Sequence, residues 1–236
     1  DLAKKNNIPV ALTLMGLGAF SADDELYLGM LGMHGSPFTN LLINEADLIL
    51  AFGVRFDDRA TGDIKKFCPK ASIIHVDIDE SEINKVKNSS ISMNCPIDSF
   101  LKSIIGYIDE NPRTNWIQRI NCFKNKYPLP SYDDPMHPAN IISFVAEKIP
   151  DDSIIVTDVG QHQMWTAQRY PFKHPKTLLT SGGLGTMGFA LPTAIGASIY
   201  NPNKLIVSFT GDGSILMNIQ ELATLAEIKS NIKILI

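Results

Sequence analysis

Short apolar, β-branched runs alternate with helix-patterned stretches along most of the chain. IPVALTL, DLILAFGV and ASIIHVDI read as strands, and SPFTNLLINEA and SEINKVK as helices among them. This alternation predicts βαβ units, with a parallel sheet and helices on its faces. Ser36 and Pro37 supply an N-cap and an N1 proline for the first of these helices, and Ser81 can cap the helix after Asp79. Residues 109–137 break the pattern with Pro112, Pro128, Pro130 and Pro135 and are expected to form a linker. Beyond them the alternation resumes with ANIISFVAEKI as a helix, SIIVTDVG as a strand, a glycine-rich passage, KLIVSFT as a strand and NIQELATLAEI as a helix. The expected fold class is therefore α/β, with two parallel-sheet domains at 1–108 and 138–236. The chain opens on a helix-like DLAKKNN feeding a strand and closes on the apolar run NIKILI, so the reading is of an internal fragment, incomplete at both ends.

Composition narrows the classes. The chain has 236 residues, 44% hydrophobic and 19% charged, with a formal net charge of −4, which fits one or two ordinary globular domains. A chain of this size can bury a core without disulfides, and its mild acidity argues against a nucleic-acid partner. Cys68, Cys95 and Cys122 lie in no CxxC or Cys/His spacing, so neither a disulfide framework nor a zinc site is expected, and a reducing compartment is. No apolar run approaches the roughly 20 residues needed to cross a bilayer, and no membrane partner is expected.

Three strand ends in the second half carry DVGQHQ, SGGLGTMG and GDGS, and ligands of parallel sheets bind at the carboxyl ends of strands. In GDGS the glycines permit close backbone approach, and Asp212 is a hard oxygen ligand suited to magnesium, so the stretch reads as a seat for a metal diphosphate. In the helix that follows, Ile219, Leu222, Ala223 and Ala226 share one face, and Asn218 with Glu221 is a weak capping-box match. A competing pattern lies beside it. Gly183, Gly185 and Gly188 match GxGxxG after the strand-like KTLLTS, and Asp212 then ends the next strand, where a dinucleotide fold places its ribose-binding acid. Pro192, and the run of Asp212 straight into Gly213, Ser214 and a new helix, weigh against that pattern, but spacing alone leaves the two readings close.

SGGLGTMGFALP followed by TGDGSILMNIQEL resembles the cofactor-binding half of thiamine-diphosphate enzymes. LTLMGLGAF, LGMLGMHG, GVRFDDR and VGQHQMW are similar to the catalytic subunits of the acetolactate (acetohydroxyacid) synthase family. The resemblance spans nearly the whole chain. It implies a Rossmann-like central domain that binds FAD with a largely structural role, and a C-terminally truncated thiamine-diphosphate-binding domain. The implied FAD contacts are Thr13, Leu14 and Met15; Leu31, Gly32, Met33, His34 and Gly35; Gly53, Val54, Arg55, Asp57 and Arg59; and Asp77. Read without the family, Arg55, Asp57, Asp58 and Arg59 are a solvated charge cluster. One departure stands out: Cys95-Pro96 occupies the place where many relatives carry Gly-Asp near the flavin nucleotide. The implied thiamine diphosphate contacts are Val159, Gly160, Gln161, His162, Gly185, Met187, Gly211, Asp212, Gly213 and Ser214, with Asp212 as the magnesium ligand.

The implied reaction is decarboxylation of pyruvate and carboligation to a second 2-ketoacid, giving acetolactate or acetohydroxybutyrate in branched-chain amino-acid biosynthesis. The family works as a homodimer or higher homo-oligomer, with a small regulatory subunit in some members. Its activating glutamate lies on an N-terminal domain that does not match any part of this chain. No catalytic residue is therefore assigned here, and the 236-residue chain alone is expected to be inactive. The expected location is the cytoplasm for a bacterial source or an organelle lumen for a eukaryotic one. The alternatives are another thiamine-diphosphate carboligase or decarboxylase, and a non-catalytic nucleotide-binding module.

Overall fold

The structure, a computed structural model, describes all of residues 1–236. The chain divides into two compact units: residues 1–13 with 25–129, and residues 14–24 with 130–236.

In the first unit α1 (Leu2–Asn6) leads into β1 (Val10–Leu12), which pairs with β2 (Tyr27–Met30) in a two-stranded parallel sheet. After α2 (Pro37–Ile43), the strands β3 (Leu48–Phe52), β4 (Ser72–Asp77) and β5 (Ile91–Asn94) form a second parallel sheet in the order β3-β4-β5. The short α3 (Asp58–Thr61) lies between β3 and β4, and α4 (Ile97–Ile104) follows β5. Its core joins Ala51 and Ile73 from the sheet to Phe56, Phe67 and Cys68 from the loops around α3.

Three expectations are corrected here. Residues 109–137 are not featureless linker, because 114–126 form α5 (Thr114–Lys126), the longest helix of the chain. The prolines that suggested a linker all lie outside this helix, so none of them interrupts its backbone ladder. Ile120 and Phe123 are buried against Leu28 and Leu42, and Arg119 grips Glu45 through two hydrogen bonds of 2.7 and 2.5 Å. Second, SEINKVK forms only a 3₁₀ turn, Glu80–Glu82, and its cap is Asp79, whose carboxylate accepts the Ser81 amide at 2.9 Å. Third, Ser36 sits at the N-cap of α2, but its side chain makes no capping bond. The residue is buried, and Pro37 at N1 removes one of the amides a cap would serve.

The second unit holds α6 (Pro138–Lys148), β6 (Ile154–Thr157), α7 (Gln161–Arg169), β7 (Leu178–Thr180), α8 (Ala190–Tyr200), β8 (Ile206–Phe209), α9 (Asp212–Met217), α10 (Glu221–Ile228) and β9 (Ile232–Leu235). The four strands are parallel, in the order β7-β6-β8-β9. Every residue of β6 and β8 is buried, as expected of central strands covered on both faces. The small side chains of α8, Ala190, Ala194 and Ala197, let its backbone approach Ile154, Val156 and Ile206 closely. Truncating a residue such as Ile155 or Ile206, each 0% exposed, to alanine should cost about 2–5 kcal/mol.

NIQELATLAEI is helical over its last eight residues, which form α10, while 218–220 are a turn separating it from α9. Asn218 does not cap this helix: its side-chain amide donates to the Gly188 carbonyl at 2.7 Å. Ile219 and Leu222 are 46% and 41% exposed, so the anticipated face is not the packed one. Ile215 of α9 and Leu225 of α10 pack with α8 and β9 instead.

The three thiols differ sharply: Cys68 is buried, Cys95 intermediate and Cys122 exposed. Burial pushes the Cys68 thiol up to about 11, and its S–H donates to the Ile43 carbonyl at 3.2 Å. Only a thiolate alkylates readily. At pH 8 Cys122 is therefore expected to label fast with a maleimide and Cys68 only on unfolding. Mass spectrometry of the labelled peptides would refute this by finding Cys68 modified at the rate of Cys122.

Candidate cofactor site

The site in the second unit follows from strand order. From β6 the chain passes to β7 on one side, then crosses β6 to place β8 on the other, so the carboxyl ends of β6 and β8 flank a topological switch point. This is where open parallel sheets form a ligand crevice. The loop after β6 holds Asp158, Val159 and Gly160 and starts α7; the loop after β8 holds Thr210 and Gly211 and starts α9. A cleft of about 590 Å³ opens there, lined by Val159–His162, Gly211–Ser214, Met187 and Trp165 among others. Nine of the ten residues expected to hold thiamine diphosphate thus line one cavity. The tenth, Gly185, adjoins it: a Cβ there would lie 3.8 Å from Val159 Cγ1.

The glycines have a steric reason. The His162 ring is wedged between two backbones, and a Cβ on Gly160 or Gly211 would come within 3.0 or 3.2 Å of its Cε1. Burial holds the His162 imidazole below its ordinary range, a shift opposed by Asp158. One ring nitrogen engages the Asp158 backbone, while Nε2 is buried with no partner. A buried nitrogen left this way is costly unless a ligand completes it. Asp212, the first residue of α9, is solvent-exposed. No group of three or more His, Cys, Asp or Glu side chains surrounds it. That is a poor cage for an all-protein metal site, but it fits magnesium, which commonly takes one or two carboxylates and fills its octahedron with phosphate oxygens and water.

Spacing had missed Asp158, whose only signal was its place at the end of a buried strand before a glycine. It is 1% exposed and accepts from the Ala190 amide at 3.2 Å and the Thr210 hydroxyl at 2.6 Å, tying β6, α8 and β8 together beneath the cleft. Beside it, Thr180 of β7 bonds both Thr157 of β6 and Gln163 of α7 at 2.7 Å. The dinucleotide reading of Gly183, Gly185 and Gly188 fails on topology. A ribose-binding acid ends the strand next to the one that feeds the glycine loop, whereas β6 separates β7 from β8. Gly183 has open space around it, and Gly188 serves the contact with Asn218.

In the first unit, the loop Leu31–Gly35 follows β2 and docks on α3. The Met33 amide donates to the Arg59 carbonyl at 2.7 Å, and Asn40 clasps Gly32 through two bonds of 2.8 Å. Gly53 directly follows β3 and Asp77 ends the neighbouring β4, and the Gly53 amide donates to the Val76 carbonyl at 2.9 Å. Asp57 caps α3 by accepting the Arg59 and Ala60 amides at 3.1 Å. Arg55 lies 3.6 Å from Asp57, with its side chain 59% exposed. Val54 packs on the Phe56 core, and His34 is a surface residue of the loop. Thr13 follows β1 in this unit, but Leu14 and Met15 fall in the second unit, with Met15 against Gly182. Cys95 donates its amide to the Asp77 carbonyl at 3.1 Å, and Pro96 is the N-cap of α4.

Two family models match the chain. The family described as "Thiamine pyrophosphate enzyme, central domain" matches residues 1–104, and "Thiamine pyrophosphate enzyme, C-terminal TPP binding domain" matches residues 158–236. The chain is 47% identical over 238 residues to acetolactate synthase isozyme 1 large subunit of Escherichia coli (strain K12), an alignment covering 100% of this chain and 42% of that protein. It is 45% identical over 237 residues to chloroplastic acetolactate synthase 2 of Nicotiana tabacum, covering 97% of this chain and 36% of the relative. Against the chloroplastic acetolactate synthase of Arabidopsis thaliana it is 44% identical over 237 residues, covering 97% and 35%. The chain thus spans less than half the length of these relatives.

Proposed function

The chain belongs to the thiamine pyrophosphate enzyme family, in its central and C-terminal cofactor-binding domains, and on that premise we propose that it is part of an acetolactate synthase large subunit. The reaction is decarboxylation of pyruvate and joining of the two-carbon remainder to a second 2-ketoacid. The observation that carries this reading is the switch-point cleft, where GDGS and VGQH meet from adjacent strands.

Thiamine diphosphate, when bound, supplies the nucleophilic carbon and the electron sink for decarboxylation. The chain's own part is binding and placement. Asp212 would offer one anionic oxygen to magnesium, and the first-turn amides of α7 and the backbone of Gly211–Ser214 would be available to the diphosphate. His162 Nε2 would take a hydrogen-bond partner there, with Gly160 and Gly211 leaving room for its ring. Met187, 43% exposed beside Gly213, would give the aromatic part of the cofactor an apolar support.

The first unit holds FAD in this proposal, through Thr13, the Leu31–Gly35 loop, the Gly53–Arg59 segment and Asp77, with the guanidinium of Arg55 suited to a phosphate. Carboligation has no net electron transfer, so the flavin absorbance is expected to persist through turnover with pyruvate. Stoichiometric bleaching would count against a structural flavin. The proposed assembly is a homo-oligomer, with a small regulatory subunit as a further partner. No helix is long and apolar enough to cross a membrane.

The deciding experiment titrates the full-length protein with thiamine diphosphate, magnesium and FAD and then assays it with pyruvate. Magnesium-dependent binding with acetolactate formation is expected. Carbon dioxide release with no acetolactate would point to a decarboxylase, and FAD binding alone to a non-catalytic nucleotide module.

A further inference from the structure

His75 is 0% exposed, and neither of its ring nitrogens has a hydrogen-bond partner. It sits on β4 two residues before Asp77, so the two side chains leave the same face of the sheet. Its Nε2 is 3.9 Å from Asp77 Oδ2, about one ångström longer than a typical N–H···O hydrogen bond. The other carboxylate oxygen, Oδ1, already accepts the Asp79 amide at 2.9 Å. Asp77 is therefore anchored at one oxygen and unfixed at the other. The imidazole also meets Phe56 edge-on, with ring centroids 5.2 Å apart and planes at 80°. Phe56 closes the segment that carries Gly53, Val54 and Arg55. It is 3% exposed and holds a left-handed backbone, φ 54°, which its packing between Phe67 and His75 maintains.

We propose that His75 is a positioning residue for the flavin site of the first unit: when FAD binds, a small shift of the Asp77 carboxylate brings Oδ2 within reach of the His75 Nε2–H, which then donates to it and fixes the carboxylate to accept sugar hydroxyls of FAD. The inference rests on the flavin reading of this unit and deepens it. A carboxylate offers about four acceptor positions, so Asp77 can take the Asp79 amide, the imidazole N–H and ligand hydroxyls together. An imidazole N–H suits this role because it aims one directed hydrogen bond at the carboxylate. The packing on Phe56 lets the same ring brace the Arg55 segment, so two parts of the proposed site share one support.

The test measures FAD affinity and unfolding midpoint in the full-length protein for wild type, His75→Phe, His75→Gln, Asp77→Ala and the His75→Phe/Asp77→Ala double variant. Phenylalanine keeps the ring packing against Phe56 and removes the donor; glutamine retains a donor. His75→Phe is expected to lose about tenfold in FAD affinity, the scale on which supporting partners act, with no drop in unfolding midpoint, and His75→Gln to recover part of it. In the Asp77→Ala background the His75→Phe change is expected to cost nothing further. Wild-type affinity in His75→Phe overturns the proposal and leaves the flavin reading intact. An equal loss with and without Asp77 also overturns it, since His75 would then act by another route. Failure of the wild type to bind FAD removes the flavin reading and the proposal with it.

Discussion

Replacing Asp212 with alanine is expected to abolish magnesium-dependent thiamine diphosphate binding while leaving FAD affinity unchanged. Asp212 is exposed at the mouth of the cleft, with no cluster of other metal-ligating side chains to take over its role. Magnesium held by so few protein oxygens depends heavily on each of them. Loss of a partner that merely supports a metal ligand typically costs 10–100-fold, so loss of the ligand itself should cost about 100-fold or more. Asp212→Asn keeps an oxygen but removes the charge, and should fall between. The first unit contributes no residue to this cleft, so flavin titration serves as an internal control. Calorimetry with each cofactor, with and without magnesium, measures all of these quantities. Unchanged magnesium-dependent binding in Asp212→Ala would remove the basis for the function proposed for the second unit.

The same site shows what the chain discloses before folding. Strands β6 and β8 were legible because both are short, β-branched and fully buried, and their loops carry the glycines and carboxylates that close approach to an anion demands. Their adjacency was not legible. It depends on the return of the chain across β6 after β7, a matter of sheet order that no local pattern encodes. For that reason spacing could not separate a phosphate seat from a ribose acid at Asp212, and topology does. Asp158 was missed for a related reason: its partners, the Ala190 amide and the Thr210 hydroxyl, are 32 and 52 residues away.

In the first unit the errors lie where local propensity and tertiary packing diverge. Helix α5 sits among prolines and reads as linker, yet Ile120, Phe123 and the Arg119–Glu45 pair attach it to α2. SEINKVK has helical composition, but Asn84 adopts a left-handed backbone (φ 58°) and accepts the Ser89 amide at 2.8 Å, closing a turn instead. Strand β5 escaped notice because ISMN is exposed throughout and lacks the apolar run that marks β3 and β4. The grouping of Leu14 and Met15 with the second unit, apart from Thr13, follows from contacts with residues far along the chain and has no local signal.

The complementary large effect belongs to Gly32. Its φ is +101°, a conformation L side chains rarely adopt, and a Cβ added there would meet the Arg59 carbonyl and stand 2.9 Å from the Ala60 Cα. Both neighbours are backbone of α3, already fixed by the Asp57 cap and by the Met33 amide on Arg59, so neither can swing aside as a flexible side chain would. Left-handed strain of about 1–3 kcal/mol thus adds to a clash that only displacement of the 31–35 loop or of α3 relieves. Gly32→Ala is expected to destabilise the first unit by about 3 kcal/mol or more and to weaken FAD by displacing the loop proposed to hold it. Gly62→Ala is the matched control for strain without clash, since that glycine also has positive φ, +61°, but nothing within 4 Å of a Cβ. With ψ at −133° the backbone lies outside the left-handed helical region, and strain alone should cost about 1–3 kcal/mol. Denaturant unfolding and flavin titration of the two variants decide the matter. Equal, small losses of stability for both would show that the loop and α3 yield easily, and that the close packing at Gly32 does not hold the site in shape.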